Sequence, residues 1–182
     1  MIYKTRSITM KDGRGAILRA PRESDAEEML EYLRTASGET VFLASYPEEL
    51  KFTAEGERAY LKNNLDSPNT MMLVCEVDGK IGGNSQIVFM SSLKTRHRAA
   101  VMIGLLREYW GLGIGSALFR EMEREARKHG TAQLELEMIE GNDRALALYR
   151  SAGFETMAEH PDAFRLRDGT SRAAVFMRKV LK

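Results

Sequence analysis

Between Arg98 and His129 an apolar segment, a glycine-rich turn and a helical pattern follow one another, and that succession limits the fold more than any other feature of the chain. Arg98 to Leu106 is nearly continuous in apolar residues and too short for a stable helix, so it reads as a buried strand. From Gly113 to His129 the period changes. Ile114, Ala117, Leu118, Met122 and Ala126 recur on one helical face, and Gly130 stands where a terminator is needed. Tyr109-Trp110-Gly111-Leu112-Gly113-Ile114-Gly115-Ser116 joins the two.

A strand-to-helix crossing of this kind suits a diphosphate. Close approach needs backbone N–H donors with no side chains in the way, which glycines allow, and the helix start adds partial positive charge. The same glycines would also serve a merely tight crossing, so their neighbourhood has to decide. A P-loop needs Gly-Lys followed by Ser or Thr, whereas Gly113-Ile114-Gly115-Ser116 offers no lysine for a terminal phosphate, which argues against nucleotide hydrolysis. A dinucleotide fold would repeat parallel strand-helix-strand units. Here antiparallel strands precede the turn and a single crossover helix follows it.

Those strands are legible from turns and alternation. Arg6 to Met10 and Ala16 to Arg19 flank Lys11-Asp12-Gly13, a hairpin. Ser24 stands three residues before Glu27 at capping-box spacing, opening a helix that carries Ala26, Met29, Leu30 and Leu33 on one face. Thr35 to Phe52 is less regular and is a stretch that can line a site, with Glu39, Glu48 and Glu49 as solvated residues or an acidic patch for an amine. Thr53 caps a second helix, which ends in the polar break Asn63 to Asn69. Met71 to Val77 and Ile81 to Met90 form a hairpin about Asp78-Gly79. Ala132 to Met138 alternates strictly, with Leu134, Leu136 and Met138 facing one way and Gln133, Glu135 and Glu137 the other. Asn142 begins a short helix ended by Gly153, and Phe154 to Glu159 and Arg172 to Val180 close the sheet around Asp168-Gly169.

Bulk properties bound the setting. A chain of 182 residues with 43% hydrophobic content can bury one good core, so a single domain spanning residues 1 to 182 is expected. Lys and Arg number 27 against 26 Asp and Glu, and the net charge of +1 gives no electrostatic reason to expect nucleic acid or an anionic membrane as partner. The lone Cys75 has no disulfide partner and no companions for a metal cluster, so no metal is expected. With no signal-like apolar stretch at Met1 to Arg6, a cytoplasmic setting is expected.

The turn, in the register Trp110, Gly113 and Gly115, resembles the coenzyme A motif of the GNAT superfamily, Gln or Arg, two residues, Gly, one residue, then Gly or Ala. Trp110 stands where that motif has Gln or Arg. The later run Asn142-Asp143-Arg144-Ala145-Leu146-Ala147-Leu148-Tyr149-Arg150-Ser151-Ala152-Gly153-Phe154 looks like the Asn, Ala, Leu-Tyr and Gly-Phe pattern of the same enzymes. The likeness is tight from about Ile103 to Phe154.

The resemblance implies an α/β (α+β) fold with a central mixed, mostly antiparallel sheet flanked by helices. It also implies an acetyl-CoA-dependent N-acetyltransferase acting on a primary amine of a small molecule or a protein N-terminus by direct attack. Trp110, Gly111, Leu112, Gly113, Ile114, Gly115 and Ser116 would hold the diphosphate, and the backbone of Ile103, Gly104 and Leu105 would align the pantetheine arm and thioester. Tyr149 would meet the departing sulfur, unless it is an ordinary packed tyrosine. Asn142 would touch the cofactor while also capping its helix. Glu137 matches a catalytic glutamate of ribosomal-protein alanine acetyltransferases and is the candidate base, with a solvated strand residue as the other reading. His97, between Arg96 and Arg98, has a suitable unperturbed pKa but reads as surface. Terminal-strand pairing into a homodimer follows from the resemblance alone. The reading from a different class is a catalytically idle acyl-CoA-binding sensor, and longer acyl groups stay open.

Overall fold

The structure, a computed structural model, describes residues 3–181; Met1, Ile2 and Lys182 lie outside the described residues. Eight strands are hydrogen-bonded in the order β1-β2-β3-β4-β5-β6-β8-β7, with helices flanking the sheet. They are β1 (Arg6–Thr9), β2 (Gly15–Arg19), β3 (Thr70–Val77), β4 (Lys80–Phe89), β5 (Arg98–Leu105), β6 (Gln133–Ile139), β7 (Glu155–Arg165) and β8 (Ser171–Val180). Four α-helices join them: α1 (Ala26–Glu39), α2 (Ala54–Asp66), α3 (Ile114–Lys128) and α4 (Asp143–Ser151). β5 and β6 pair in parallel, Arg98 opposite Gln133, because α3 carries the chain across between them. β1 with β2, β2 with β3, β3 with β4, β6 with β8 and β7 with β8 are antiparallel. The mixed, mostly antiparallel sheet is the one expected.

By contact the chain divides into two compact units, one holding the residues up to Val88 together with Met102–Leu118, the other Phe89–Val101 and the residues from Phe119. In the first, Met29, Tyr32 and Ala36 of α1 pack with Leu61 of α2 and Met72, Val74 and Ile81 of the sheet. Burying each large apolar side chain in such a cluster stabilises by roughly 1.5–3 kcal/mol. Arg19, 5% exposed, reaches Asp25 Oδ2 at 2.6 Å and Glu76 Oε2 at 2.8 Å, tying β2 to the entry of α1 and to β3. The β3–β4 hairpin turns on Asp78 and Gly79, both at positive φ (51° and 78°), the twist that a two-residue hairpin prefers.

In the second unit the alternation of β6 does what the sequence implies: Leu134, Leu136 and Met138 are buried, while Glu137 is exposed. Phe119, Tyr149 and Phe154 form an edge-on aromatic cluster, with Phe119 5.6 Å from Tyr149 and 5.5 Å from Phe154. α3 and α4 both end in Schellman turns. Thr131 N donates to Ala126 O and Gly130 N to Arg127 O, and Phe154 N donates to Tyr149 O and Gly153 N to Arg150 O. Asn142 Oδ1 accepts from Ala145 N at 3.2 Å and so caps α4.

Several boundaries differ from those read in the sequence. Ser24 lies inside a single 3-10 turn (Glu23–Asp25), and it is Asp25 whose carboxylate accepts from the Arg22 amide at 2.7 Å. α1 continues to Glu39 and α2 to Asp66, so the irregular stretch begins at Thr40 and the polar break at Ser67. Thr53 does cap α2, accepting from Gly56 N. β5 is half-buried rather than buried throughout: Ala99 and Val101 are enclosed, but Met102 is 50% exposed and Ile103 to Leu105 are intermediate. A run of apolar letters hides the pleat, which turns alternate residues to opposite faces. β7 runs on to Arg165 and is exposed along almost its whole length, as an edge strand can be, which leaves only a short turn before β8.

Candidate active site

The first unit carries the glycine turn. After β5 a 3-10 turn (Arg107–Tyr109) leads to Gly111 at φ 77° and Gly113 at φ 90°, and α3 starts at Ile114. Both glycines adopt the left-handed region that L side chains avoid, and this fixes how the loop enters the helix. A Cβ on Gly111 would meet nothing within 4 Å, so that side of the turn is open. Gly113 O accepts from Ala117 N at 3.0 Å, which leaves the amides of Ile114, Gly115 and Ser116 in the first helical turn without intrahelical acceptors. Open glycines next to unspent helix-start amides are the donor set a diphosphate requires.

The turn is held from three sides. Trp110 Nε1 donates to Leu105 O at 2.9 Å, and the Arg107 guanidinium lies 5.5 Å from the centre of the Trp110 ring. The carboxylate of Glu39 accepts from the Arg107 amide at 2.6 Å, while the Arg107 guanidinium donates to the Glu39 carbonyl. Lys11, in the β1–β2 turn, donates its amide hydrogen to Leu112 O at 3.0 Å. Leu106 N donates to Gly82 O at 2.9 Å. Gly82 and Gly83 of β4 admit this packing because neither has a side chain. A Cβ on Gly82 would lie 2.5 Å from the Tyr109 ring, and one on Gly83 would collide with the Leu105 side chain.

Beside Gly104 the space is fully spoken for. Tyr32 donates to Asn84 Oδ1 at 3.1 Å, and a Cβ on Gly104 would lie 2.8 Å from the Tyr32 hydroxyl oxygen and 3.3 Å from that Asn84 oxygen. Tyr32 is 3% exposed and burial raises its pKa, so it stays a hydrogen-bond donor. Glu28, Tyr32 and Glu39 share one side of α1 by helical spacing, and each is fastened: Glu28 accepts from Ile81 N at 2.6 Å, Tyr32 bonds Asn84, and Glu39 bonds Arg107. α1 is thereby fixed along the end of β5 where the thioester backbone contacts are expected.

Of the acidic residues considered for an amine patch, Glu39 clamps Arg107 and Glu49 accepts from the Tyr46 amide at 2.7 Å. His97 is exposed in the turn before β5, at the far end of that strand from Gly104.

The second unit carries Tyr149, Asn142 and Glu137. Tyr149 is 8% exposed; burial pushes its pKa up to about 12, and no hydrogen bond holds its hydroxyl among the described residues. A protonated phenol with an unspent O–H is available to a sulfur or oxygen brought to it. Asn142 spends its Oδ1 on the helix cap and keeps its amide group. Glu137 stands exposed on β6 opposite Phe176 of β8, with no ion pair among the described residues.

Two further features shape the site, one beyond the reach of sequence and one with a signal in it. The Tyr32–Asn84 pair joins residues 52 positions apart, beyond any local pattern. The Gly82-Gly83 pair inside an apolar strand is a sign of close approach that can be read from sequence. Among the described residues no group of three or more His, Cys, Asp or Glu could hold a metal ion, and no helix is long and apolar enough to cross a membrane.

Known proteins share this fold. A structure of an acetyltransferase of the GNAT family from Streptococcus pneumoniae superposes with a TM-score of 0.85 at 26% identity, covering 91% of this chain and 99% of that one. The ribosomal-protein-alanine N-acetyltransferase of Brucella melitensis superposes at 0.77 with 27% identity, covering 90% and 99%. A Salmonella typhimurium protein whose structure carries acetyl-CoA as its cofactor shares the fold at 0.78 and 19% identity, covering 92% and 94%. The model of the Acetyltransferase (GNAT) family matches residues 26–154, a span that takes in α1, the glycine turn and α4. The chain belongs to the GNAT family of acetyltransferases.

Proposed function

We propose that the protein transfers the acetyl group of acetyl-CoA to a primary amine of a small molecule or a protein N-terminus, with cofactor and amine bound together. The carrying observation is the turn itself: two left-handed glycines, an open side at Gly111 and the unspent amides of Ile114, Gly115 and Ser116. These fit the diphosphate of coenzyme A, whose four negative-leaning oxygens need several N–H donors at once. When bound, acetyl-CoA supplies an activated thioester to the incoming amine.

The chain's own groups then have separable tasks. The backbone of Ile103, Gly104 and Leu105 aligns the pantetheine arm and offers N–H donors to the thioester carbonyl, where preorganised donors help most as negative charge develops. Glu137 takes the proton that the amine must lose on forming the amide. Tyr149 hydrogen-bonds the departing sulfur. With a pKa near 12 it is a weaker acid than an ordinary thiol, so it stabilises the thiolate by donation while the proton released from the amine ends on the thiol. Asn142 holds α4 in place and offers its amide to the cofactor.

The test is release of free coenzyme A from acetyl-CoA over pools of amino acids, polyamines, aminoglycosides and N-terminal peptides. Turnover with at least one class supports the proposal. Tight cofactor binding without turnover on any pool would instead favour an acyl-CoA sensor.

A further inference from the structure

We propose that Lys11 is a positioning residue for the cofactor's diphosphate, supplying from the β1–β2 hairpin the positive charge that the glycine turn lacks. This rests on the reading of the turn as the coenzyme A site. From Leu106 to Ser116 the sole basic residue is Arg107, and its guanidinium is committed to the Glu39 carbonyl and the face of Trp110. The turn's own donors are therefore neutral amides facing a dianion.

Lys11 stands at the place where a cation is missing. Its amide donates to Leu112 O, which joins the hairpin to the turn. Its stem lies along Gly113, since a Cβ on that glycine would sit 3.6 Å from Lys11 Cγ and 3.9 Å from Lys11 Cε. The ammonium is one bond beyond Cε. The other basic residue of the turn between β1 and β2, Arg14, is neutralised by Asp12 at 2.9 Å and Asp78 at 3.5 Å and lies 6.0 Å from the Tyr109 ring centre. Lys11 has no carboxylate partner among the described residues, and it is exposed. An unpaired ammonium held by its stem against a left-handed glycine, beside unspent helix-start amides, will be drawn to a phosphate oxygen.

The hydrogen bond from the Lys11 amide to Leu112 O fastens the hairpin to the turn and sets where the lysine stem begins. Lysine suits the task better than a rigid fork, because a flexible point charge can follow the diphosphate as it settles on the amides.

Calorimetric titration of coenzyme A into the protein, Lys11→Met and Lys11→Arg tests the assignment. Lys11→Met should weaken binding by roughly three- to tenfold, as expected for one partly solvated charge-assisted contact, and should make affinity less sensitive to salt. Lys11→Arg should restore most of the loss. In turnover, KM for acetyl-CoA should rise with kcat nearly unchanged, and kcat/KM with S-acetyl-pantetheine, which has no phosphate, should not move. Dephospho-coenzyme A, which keeps the diphosphate, should show the same loss. Unchanged affinity and salt response in Lys11→Met would overturn the proposal, as would an equal fall with acetyl-pantetheine, which would mark a structural role. Loss of the effect with dephospho-coenzyme A would overturn the diphosphate assignment in favour of the 3′-phosphate. Failure of the parent protein to bind coenzyme A would be a different result, removing the reading beneath the inference together with it.

Discussion

Tyr32 donates its hydroxyl hydrogen to Asn84 Oδ1 at 3.1 Å, and both oxygens crowd the point at which a side chain on Gly104 would begin. The absence of a Cβ on the strand residue expected to face the thioester is thus enforced by a part-buried hydrogen bond between α1 and β4. Gly104→Ala should cost about 1–3 kcal/mol, as overpacking of an enclosed site does. Tyr32→Phe removes the oxygen nearest the new methyl, so the double variant should be more stable than the two single effects predict, read as a positive coupling in denaturant unfolding. Strict additivity would show that the two positions do not compete for the same space.

Tyr149→Phe keeps the aromatic cluster with Phe119 and Phe154 while removing a hydroxyl that no described residue bonds. Stability should therefore change little, and kcat should fall by about a hundredfold, the scale set by losing one donor to a leaving group. Because burial holds Tyr149 near pKa 12, its ionisation should leave no limb in the rate profile at neutral or mildly alkaline pH. A variant that turns over at the parent's rate would take Tyr149 out of the chemistry.

Stability should fall as the solution becomes alkaline. Burial raises Cys75 to about 12 from 9.0 and Tyr149 to about 12 from 10.0. The folded state therefore keeps protons that the unfolded chain gives up. The stability from these two groups is complete below their unfolded values and is lost as pH rises toward their folded ones. Thermal unfolding followed from pH 8 upward should show a declining Tm above about pH 9. Cys75→Val should flatten the early part of that decline. A Tm independent of pH through this window would contradict the burial of both groups.

Arg19 is enclosed with Asp25 and Glu76, its Nη1 at 2.6 Å from one and its Nε at 2.8 Å from the other. Arg19→Ala leaves two carboxylates without their partner in a largely closed space and should destabilise by about 3–5 kcal/mol in denaturant melts. A loss below about 1 kcal/mol would place the triad among surface pairs.

The parts of this fold that could be read from the sequence are those fixed by local chemistry. Asp78-Gly79 announces its hairpin, Asn142 and Thr53 announce their caps, and the five apolar positions of α3 are all buried as their spacing requires. Boundaries slipped where a neighbour in space decided the matter. α1 extends past the irregular-looking Thr35, its end fastened where Glu39 meets Arg107, and the half-exposure of β5 went unread because an apolar composition conceals the pleat. The glycine turn was legible as a candidate site, since the role proposed for it rests on the absence of side chains. The Tyr32–Asn84 bond, the commitment of Leu105 O to Trp110 and the approach of Lys11 to Gly113 were not, because each joins elements through folding rather than through spacing.

The account depends most on the turn holding coenzyme A through its backbone. Titrating coenzyme A calorimetrically into the protein, Gly113→Ala and Gly169→Ala addresses this directly, because both glycines are left-handed, at φ 90° and 84°, and carry a similar penalty of about 1–2 kcal/mol for a side chain. Saturable binding by the parent and by Gly169→Ala, with affinity reduced by about tenfold or more in a folded Gly113→Ala, is the predicted result. Equal affinity in all three, or no binding by the parent, would contradict it.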